Sequence, residues 1–171
     1  MIFVTVGHEL RFDRLIEGLD DWSLATGYQD IFAQVAELGD DGYRPKNFKW
    51  QSFLDPDSFK SNFDQADLIV AHAGMGTIIT ALTLKKPLLI MPRKGSLKET
   101  RNDHQIATAE QFSRRTGIYV AKDETELGAT LDHLIANPPP KINEAASQFA
   151  EPQLIQAIRS FIYNGKPQEL T

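Results

Sequence analysis

Cysteine is absent from the 171 residues, so disulfides, thiolate metal sites and cysteine nucleophiles are excluded and a reducing, cytoplasmic setting is expected. Long apolar runs are missing as well. No stretch approaches the roughly 18 apolar residues that a spanning helix needs, and the opening MIFVTVGHEL has no basic leader before its short apolar run. Positive charge is in deficit. Lysine and arginine number 18 against 23 acidic residues, a net charge of −5, which argues against a chain that grips nucleic acid by general electrostatics. Two nucleotide-binding signatures are lacking too. A dinucleotide fingerprint would need glycine where Ile79 stands, and no G-K-S/T of a P-loop occurs. What is present is an ordinary globular balance, 42% hydrophobic and 24% charged, long enough for one domain with a real core.

Short apolar runs alternate with helix-patterned runs. IFVTV (residues 2–6) reads as a buried strand, followed by an amphipathic segment over 12–19. DIFAQVA (30–36) and the alternating FKWQSF (48–53) read as strands. DPDSFKSNFDQA opens with an acid before proline, a helix-start signal. DLIVAH is a strand, 75–84 a helix, PLLIM (87–91) a strand, 102–115 a helix and GIYVA (117–121) a strand; Asp123 then caps a helix reaching about residue 136. Such alternation predicts an α/β fold, a doubly wound, mainly parallel sheet with helices on both faces. NPPPK punctuates the chain after residue 136. Residues 1–136 are expected to form the sheet domain and 137–171 a helical extension, whose stripe of Leu154, Ile155, Ile158, Phe161 and Ile162 would pack on the sheet or dock a partner.

The densest local signal is ADLIVAHAGMGT. Ligands of doubly wound sheets bind beyond the carboxyl ends of strands, and AGMGT leaves such an end. Gly74 and Gly76 permit close backbone approach, and the helix starting near Met75–Gly76–Thr77 offers unpaired N–H groups to an anion. The competing explanation is that the glycines only allow tight strand–helix packing. His72, ending an apolar strand, reads more as a core histidine than as a base. Between residues 85 and 101 stand Lys85, Lys86, Arg93, Lys94, Lys98 and Arg101 against the lone acid Glu99, either a solvated loop or a local site for phosphate.

The order of motifs is more specific than any one of them. FVTVG, FDRLI, ADLIVAHAGMGT, KPLLIMPR and NDHQIATAEQF together resemble the donor-binding half of a family 28-type glycosyltransferase of GT-B architecture, over residues 1–127. The resemblance is to the small separate subunits of that group, in the eukaryotic dolichol-pathway N-acetylglucosaminyltransferase and in bacterial exopolysaccharide and capsule synthesis. It implies one Rossmann-like half of a GT-B fold and assigns roles by position. Gly7 matches the first glycine turn. Phe53 and Leu54 match the uracil contact. Ala73, Gly74, Met75, Gly76 and Thr77 match the diphosphate turn. His104 and Gln105 match the pair that reaches ribose, diphosphate or sugar hydroxyls. Arg93 and Lys94 would help neutralise the leaving UDP. Departures are equally plain: Thr80 occupies the ribose position where the family often carries glutamate, Lys85 replaces a usual glycine, Thr100 a histidine, and Thr108 the asparagine of the cell-wall branch.

The resemblance further implies metal-independent, inverting transfer from a UDP-sugar to a polyprenyl-diphosphate-linked saccharide, with no cofactor. A GT-B cleft needs two domains, so the acceptor half would come from a membrane-anchored partner subunit that holds this chain peripherally at the membrane. His8 and Glu9 are the local candidates for the general base. Exopolysaccharide or capsule synthesis is the expected pathway. The alternative is a non-catalytic accessory subunit that enhances or anchors a partner transferase, which the loss of glutamate at Thr80 favours.

Overall fold

The computed structural model describes residues 1–139. Six strands, β1 (Ile2–Thr5), β2 (Ile31–Gln34), β3 (Lys49–Gln51), β4 (Leu68–His72), β5 (Leu88–Met91) and β6 (Ile118–Val120), form one sheet in the order β3-β2-β1-β4-β5-β6. Every pairing is parallel. Four α-helices intervene and a fifth follows β6 among the described residues: α1 (Asp13–Thr26), α2 (Pro56–Gln65), α3 (Met75–Thr83), α4 (His104–Phe112) and α5 (Glu124–Ala136). This is the doubly wound α/β sheet the alternation predicts.

The strands carry near-continuous apolar runs because both faces are covered. Their two-residue period sorts side chains into two cores. Val4, Val70 and Leu89 point toward α1 and α5, meeting Leu15, Leu19, Leu127 and Leu131. Phe3, Ile69 and Ile90 point the other way, onto Phe63, Ile78 and Leu82. Strand order reverses between β1 and β4. At that place the loops leaving the carboxyl ends diverge to opposite faces and open a crevice.

Local chemistry sets the boundaries. Asp55 caps α2, its carboxylate accepting from the Asp57 and Ser58 N–H groups at 3.1 and 2.9 Å, with Pro56 at the first helical position. Asp123 caps α5 by accepting from the Thr125 N–H at 3.0 Å. Helix α1 runs well past the expected residues 12–19. Trp22 is buried against the first core and donates to Asp132 at 2.9 Å, and Gly27, in the left-handed region, ends the helix by donating to the Ser23 carbonyl. Strands β2 and β3 are shorter than expected. The loop between them is tied down by buried Asp20, which accepts from the Tyr43 hydroxyl and from the Lys46 and Asn47 N–H groups. The expected C-terminal extension and its apolar stripe lie outside the described residues.

Candidate functional site

A cleft of about 950 Å³ opens at the β1/β4 reversal, between the loop after β1, the end of β4 and the loop joining β5 to α4. Its floor includes His72. The imidazole lies between two glycine backbones: a Cβ on Gly7 would sit 2.8 Å from the ring's Cε1, and one on Gly74 would sit 2.2 Å from Nε2. Gly7 also has φ +83°, which side-chain-bearing residues rarely adopt. Both glycines therefore make room for the histidine. His72 Nδ1 is buried without a hydrogen bond. Burial, and secondarily the charge of Arg93, push the pKa of His72 down to about 4, while a backbone acceptor at Thr5 offsets part of that cost. The ring is neutral at physiological pH.

Arg93 departs from its expected role. It is 3% exposed, stacked 4.8 Å over the Phe12 ring, and both terminal nitrogens are spent on carbonyls. One donates to Arg11 O at 2.6 Å and Glu99 O at 3.3 Å; the other donates to Val6 O at 2.8 Å and Leu10 O at 2.5 Å. The guanidinium is a clasp between the loop after β1 and the loop after β5, and burial lowers its pKa to about 10, so it stays charged. The Arg93 backbone N–H donates to Gln105 Oε1 at 3.1 Å, which anchors that buried side-chain amide at the start of α4.

The basic run does not form one patch. Lys86 donates to the carbonyls of Asp64 and Ala66 at the end of α2, and Lys94 lies 3.8 Å from Asp123. Lys98 and Arg101 are the cations left to line the cleft beside the buried Arg93. The turn after β4 leads straight into α3. Gly74 is the N-cap of α3, no side chain caps that helix, and Met75 and Gly76 are exposed there, so the first-turn amides face outward. A Cβ on Gly76 would meet nothing within 4 Å, unlike one on Gly74. The two glycines of A-G-M-G-T thus do different things. The first seats His72; the second keeps the approach to the amides bare.

Residues 1–158 match the glycosyltransferase family 28 C-terminal domain. The chain belongs to that family. The mouse UDP-N-acetylglucosamine transferase subunit ALG13 is 32% identical over 127 residues, 68% of this chain and 10% of the mouse protein. The subunit of the same name from Yarrowia lipolytica is 28% identical over 138 residues, 75% of this chain and 68% of its own. The chain thus spans about a tenth of the mouse relative and two thirds of the yeast one. Among solved structures, Acinetobacter baumannii MurG superposes with a TM-score of 0.57 at 21% identity, over 79% of this chain and 41% of that one. The solution structure of ALG13 gives 0.57 at 18% identity over 95% and 96%. These likenesses show the fold: the sheet is one Rossmann-like half of the GT-B architecture.

Of the other candidate positions, His8, Glu9, His104 and Gln105 line this cleft, whereas Phe53, Leu54, Ala73 and Thr80 do not. His8 and Glu9 are exposed on its wall, and the His8 ring stands 4.7 Å from that of Phe53, so the tips after β1 and β3 touch. Phe53 is 40% exposed, whereas Leu54 turns inward to the second core. Ala73 is buried beneath the turn. The Thr80 hydroxyl donates to Gly76 O at 2.8 Å within α3, so its proton is spent on the helix. The His104 ring contacts the Asn102 side-chain oxygen, which also accepts from the His104 N–H at 3.2 Å. His72 is the buried histidine that its place at the end of an apolar strand suggests, but its seat between two glycine turns is not evident from that strand alone. The signal that could have exposed it is the recurrence of glycine where two loops leave adjacent strands, each needing space for one ring.

Proposed function

We propose that this chain is the donor-binding subunit of a two-component, inverting glycosyltransferase that moves N-acetylglucosamine from UDP-N-acetylglucosamine to a polyprenyl-diphosphate-linked saccharide. The observation that carries the reading is the uncapped α3 N-terminus at the strand reversal of a family 28 domain. First-turn amides and the helix dipole stabilise the negative charge that builds on the departing diphosphate, and they do so without reorganising and without a metal. The sugar is taken from the names of the mouse and Yarrowia relatives. Those relatives lend no support to the expected exopolysaccharide or capsule pathway, so the proposal stops at the reaction. Inversion needs a base on the acceptor hydroxyl. His8 or Glu9 stands where a hydroxyl entering the cleft could reach it, or a partner subunit supplies the group.

A partner is part of the proposal. Among the exposed large apolar side chains, Leu10, Phe53, Met75 and Leu97 all stand just after carboxyl ends of strands, on the rim that a second GT-B half would cover. No helix among the described residues is long and apolar enough to cross a membrane, so membrane attachment at the cytoplasmic face is assigned to that partner.

The test is calorimetric titration of the chain with UDP and a set of UDP-sugars, alone and with the partner subunit, beside Gly76→Glu. That substitution enters open space and puts a carboxylate before the amides. Binding that prefers UDP-N-acetylglucosamine and weakens by about tenfold or more in the variant supports the proposal. Equal affinity in the variant removes the diphosphate from the α3 turn. Absence of binding in both settings, with partner activity still enhanced, establishes the accessory-subunit alternative.

A further inference from the structure

Building on this donor-site reading, we propose that the loop between β5 and α4 carries a second diphosphate-binding subsite, built on Lys98 and Arg101, which holds the diphosphate of the acceptor rather than that of the donor.

Three observations converge on it. Lys98 and Arg101 are exposed, line the cleft and make no ion pair among the described residues, and the one carboxylate among the lining residues is Glu9. The loop that presents them is tied down at Glu99. Glu99, beside Lys98, takes a bidentate pair from Arg14 at 2.8 Å through each carboxylate oxygen, and one of those oxygens also accepts the Lys94 N–H at 2.8 Å. Arg14 reaches on to Pro92 O and Glu124, and the Arg93 clasp holds the Glu99 carbonyl. Lys98 itself is held in the left-handed region at φ +58°, its N–H donating to Gly95 O at 2.9 Å. A side chain costs energy there and glycine would not. The chain thus has a lysine where its backbone favours glycine, next to the clamped Glu99.

The subsite is distinct from the donor turn. The residues lining the cleft include Lys98 and Arg101 but none of Gly74, Met75, Gly76 or Thr77. Chemistry calls for a second anion site. Transfer between two diphosphate esters brings two multiply charged groups into one crevice. A helix N-terminus supplies only about half a charge, enough to favour one of them and too little to offset the repulsion between both. Two exposed cations on a preorganised loop supply the remainder with charge-assisted hydrogen bonds.

The test titrates inorganic diphosphate into the full chain, free and presaturated with UDP, for wild type, Lys98→Gly/Arg101→Ala and Gly76→Glu. Lys98→Gly relieves the backbone cost while removing the charge, and an unchanged thermal midpoint and UDP affinity of the double variant separate loss of the subsite from misfolding. The UDP-saturated wild type is expected to take up diphosphate, the double variant to bind it about tenfold or more weakly, and UDP affinity to change less than twofold in that variant. Gly76→Glu is expected to lose UDP and keep diphosphate. If the wild type binds UDP neither alone nor with the partner subunit, the donor reading fails on its own, and diphosphate binding to the free chain that the Lys98→Gly/Arg101→Ala variant loses still upholds the subsite. A water-soluble prenyl diphosphate should displace inorganic diphosphate from the subsite; its exclusion overturns the assignment to the acceptor. Competition between UDP and diphosphate for one site, undiminished binding by the double variant, or an equal loss of UDP affinity in it overturns the proposal outright.

Discussion

At the scale of single residues, the glycines after β4 separate two reasons for having no side chain. A Cβ on Gly74 would press to 2.2 Å from His72 Nε2, while one on Gly76 meets open space inside the first turn of α3. Gly74→Ala must therefore displace a ring wedged against Gly7, at a cost of about 2–3 kcal/mol typical of overpacking. Gly76→Ala is expected to be neutral or to stabilise by up to about 1 kcal/mol, since alanine loses less entropy in a helix. Urea unfolding of both variants checks the contrast. Adding His72→Ala to Gly74→Ala closes a double-mutant cycle, in which the two changes should cost less together than the sum of each alone. Additivity there would mean that the glycine serves the backbone and not the histidine.

At the scale of elements, the end of α3 shows how local rules and family history meet. The Lys86 N–H donates to Ala81 O at 2.8 Å and the Lys85 N–H to Leu82 O at 3.3 Å, the paired bonds of a helix ended by a left-handed residue. That residue is Lys85, at φ +56°, where the family resemblance places glycine. Lys85→Gly is expected to raise the thermal midpoint, by the equivalent of about 0.5–1 kcal/mol, because relief of the left-handed backbone outweighs the added entropy of the unfolded chain. A lowered midpoint would mean that the lysine side chain contributes more than its backbone costs. Much of this architecture is legible in the sequence itself. Apolar runs, the Asp55-Pro56 and Asp123 caps and the glycine turn marked the α/β order, the parallel sheet and the crevice, because these depend on period and on backbone chemistry. The destinations of charged side chains could not be read that way. Arg93, Lys86 and Lys94 look alike in a basic run, yet they end on loop carbonyls, on the carbonyls closing α2 and beside Asp123, partners distant in sequence or set by the closing of the loop. The length of α1 escaped for the same reason, since Trp22 is held by Asp132 from α5.

At the scale of the whole molecule, the neutral histidine under the cleft ties stability to pH. His72 titrates near 4 in the fold, through burial and the neighbouring positive charge of Arg93, against about 6.5 in the unfolded chain. Between those values the unfolded chain binds the extra proton and the folded one does not, so stability rises with pH. The contribution is fully present above about pH 6.5 and is lost as pH falls through about 4. From pH 7 to pH 5 it amounts to on the order of 2 kcal/mol. Carboxylates titrate lower in that range and contribute to any acid unfolding, so the informative quantity is the difference between wild type and His72→Gln, which keeps a polar side chain without the titration. The urea midpoint of the wild type should fall over this interval while that of the variant stays nearly flat. Parallel curves would show that the ring takes up its proton in the folded state at little cost. Because the same ring packs against both Gly7 and Gly74, protonation should also loosen the turn after β4, and if that turn holds the donor as proposed, UDP affinity should decline over the same interval in the wild type and not in the variant.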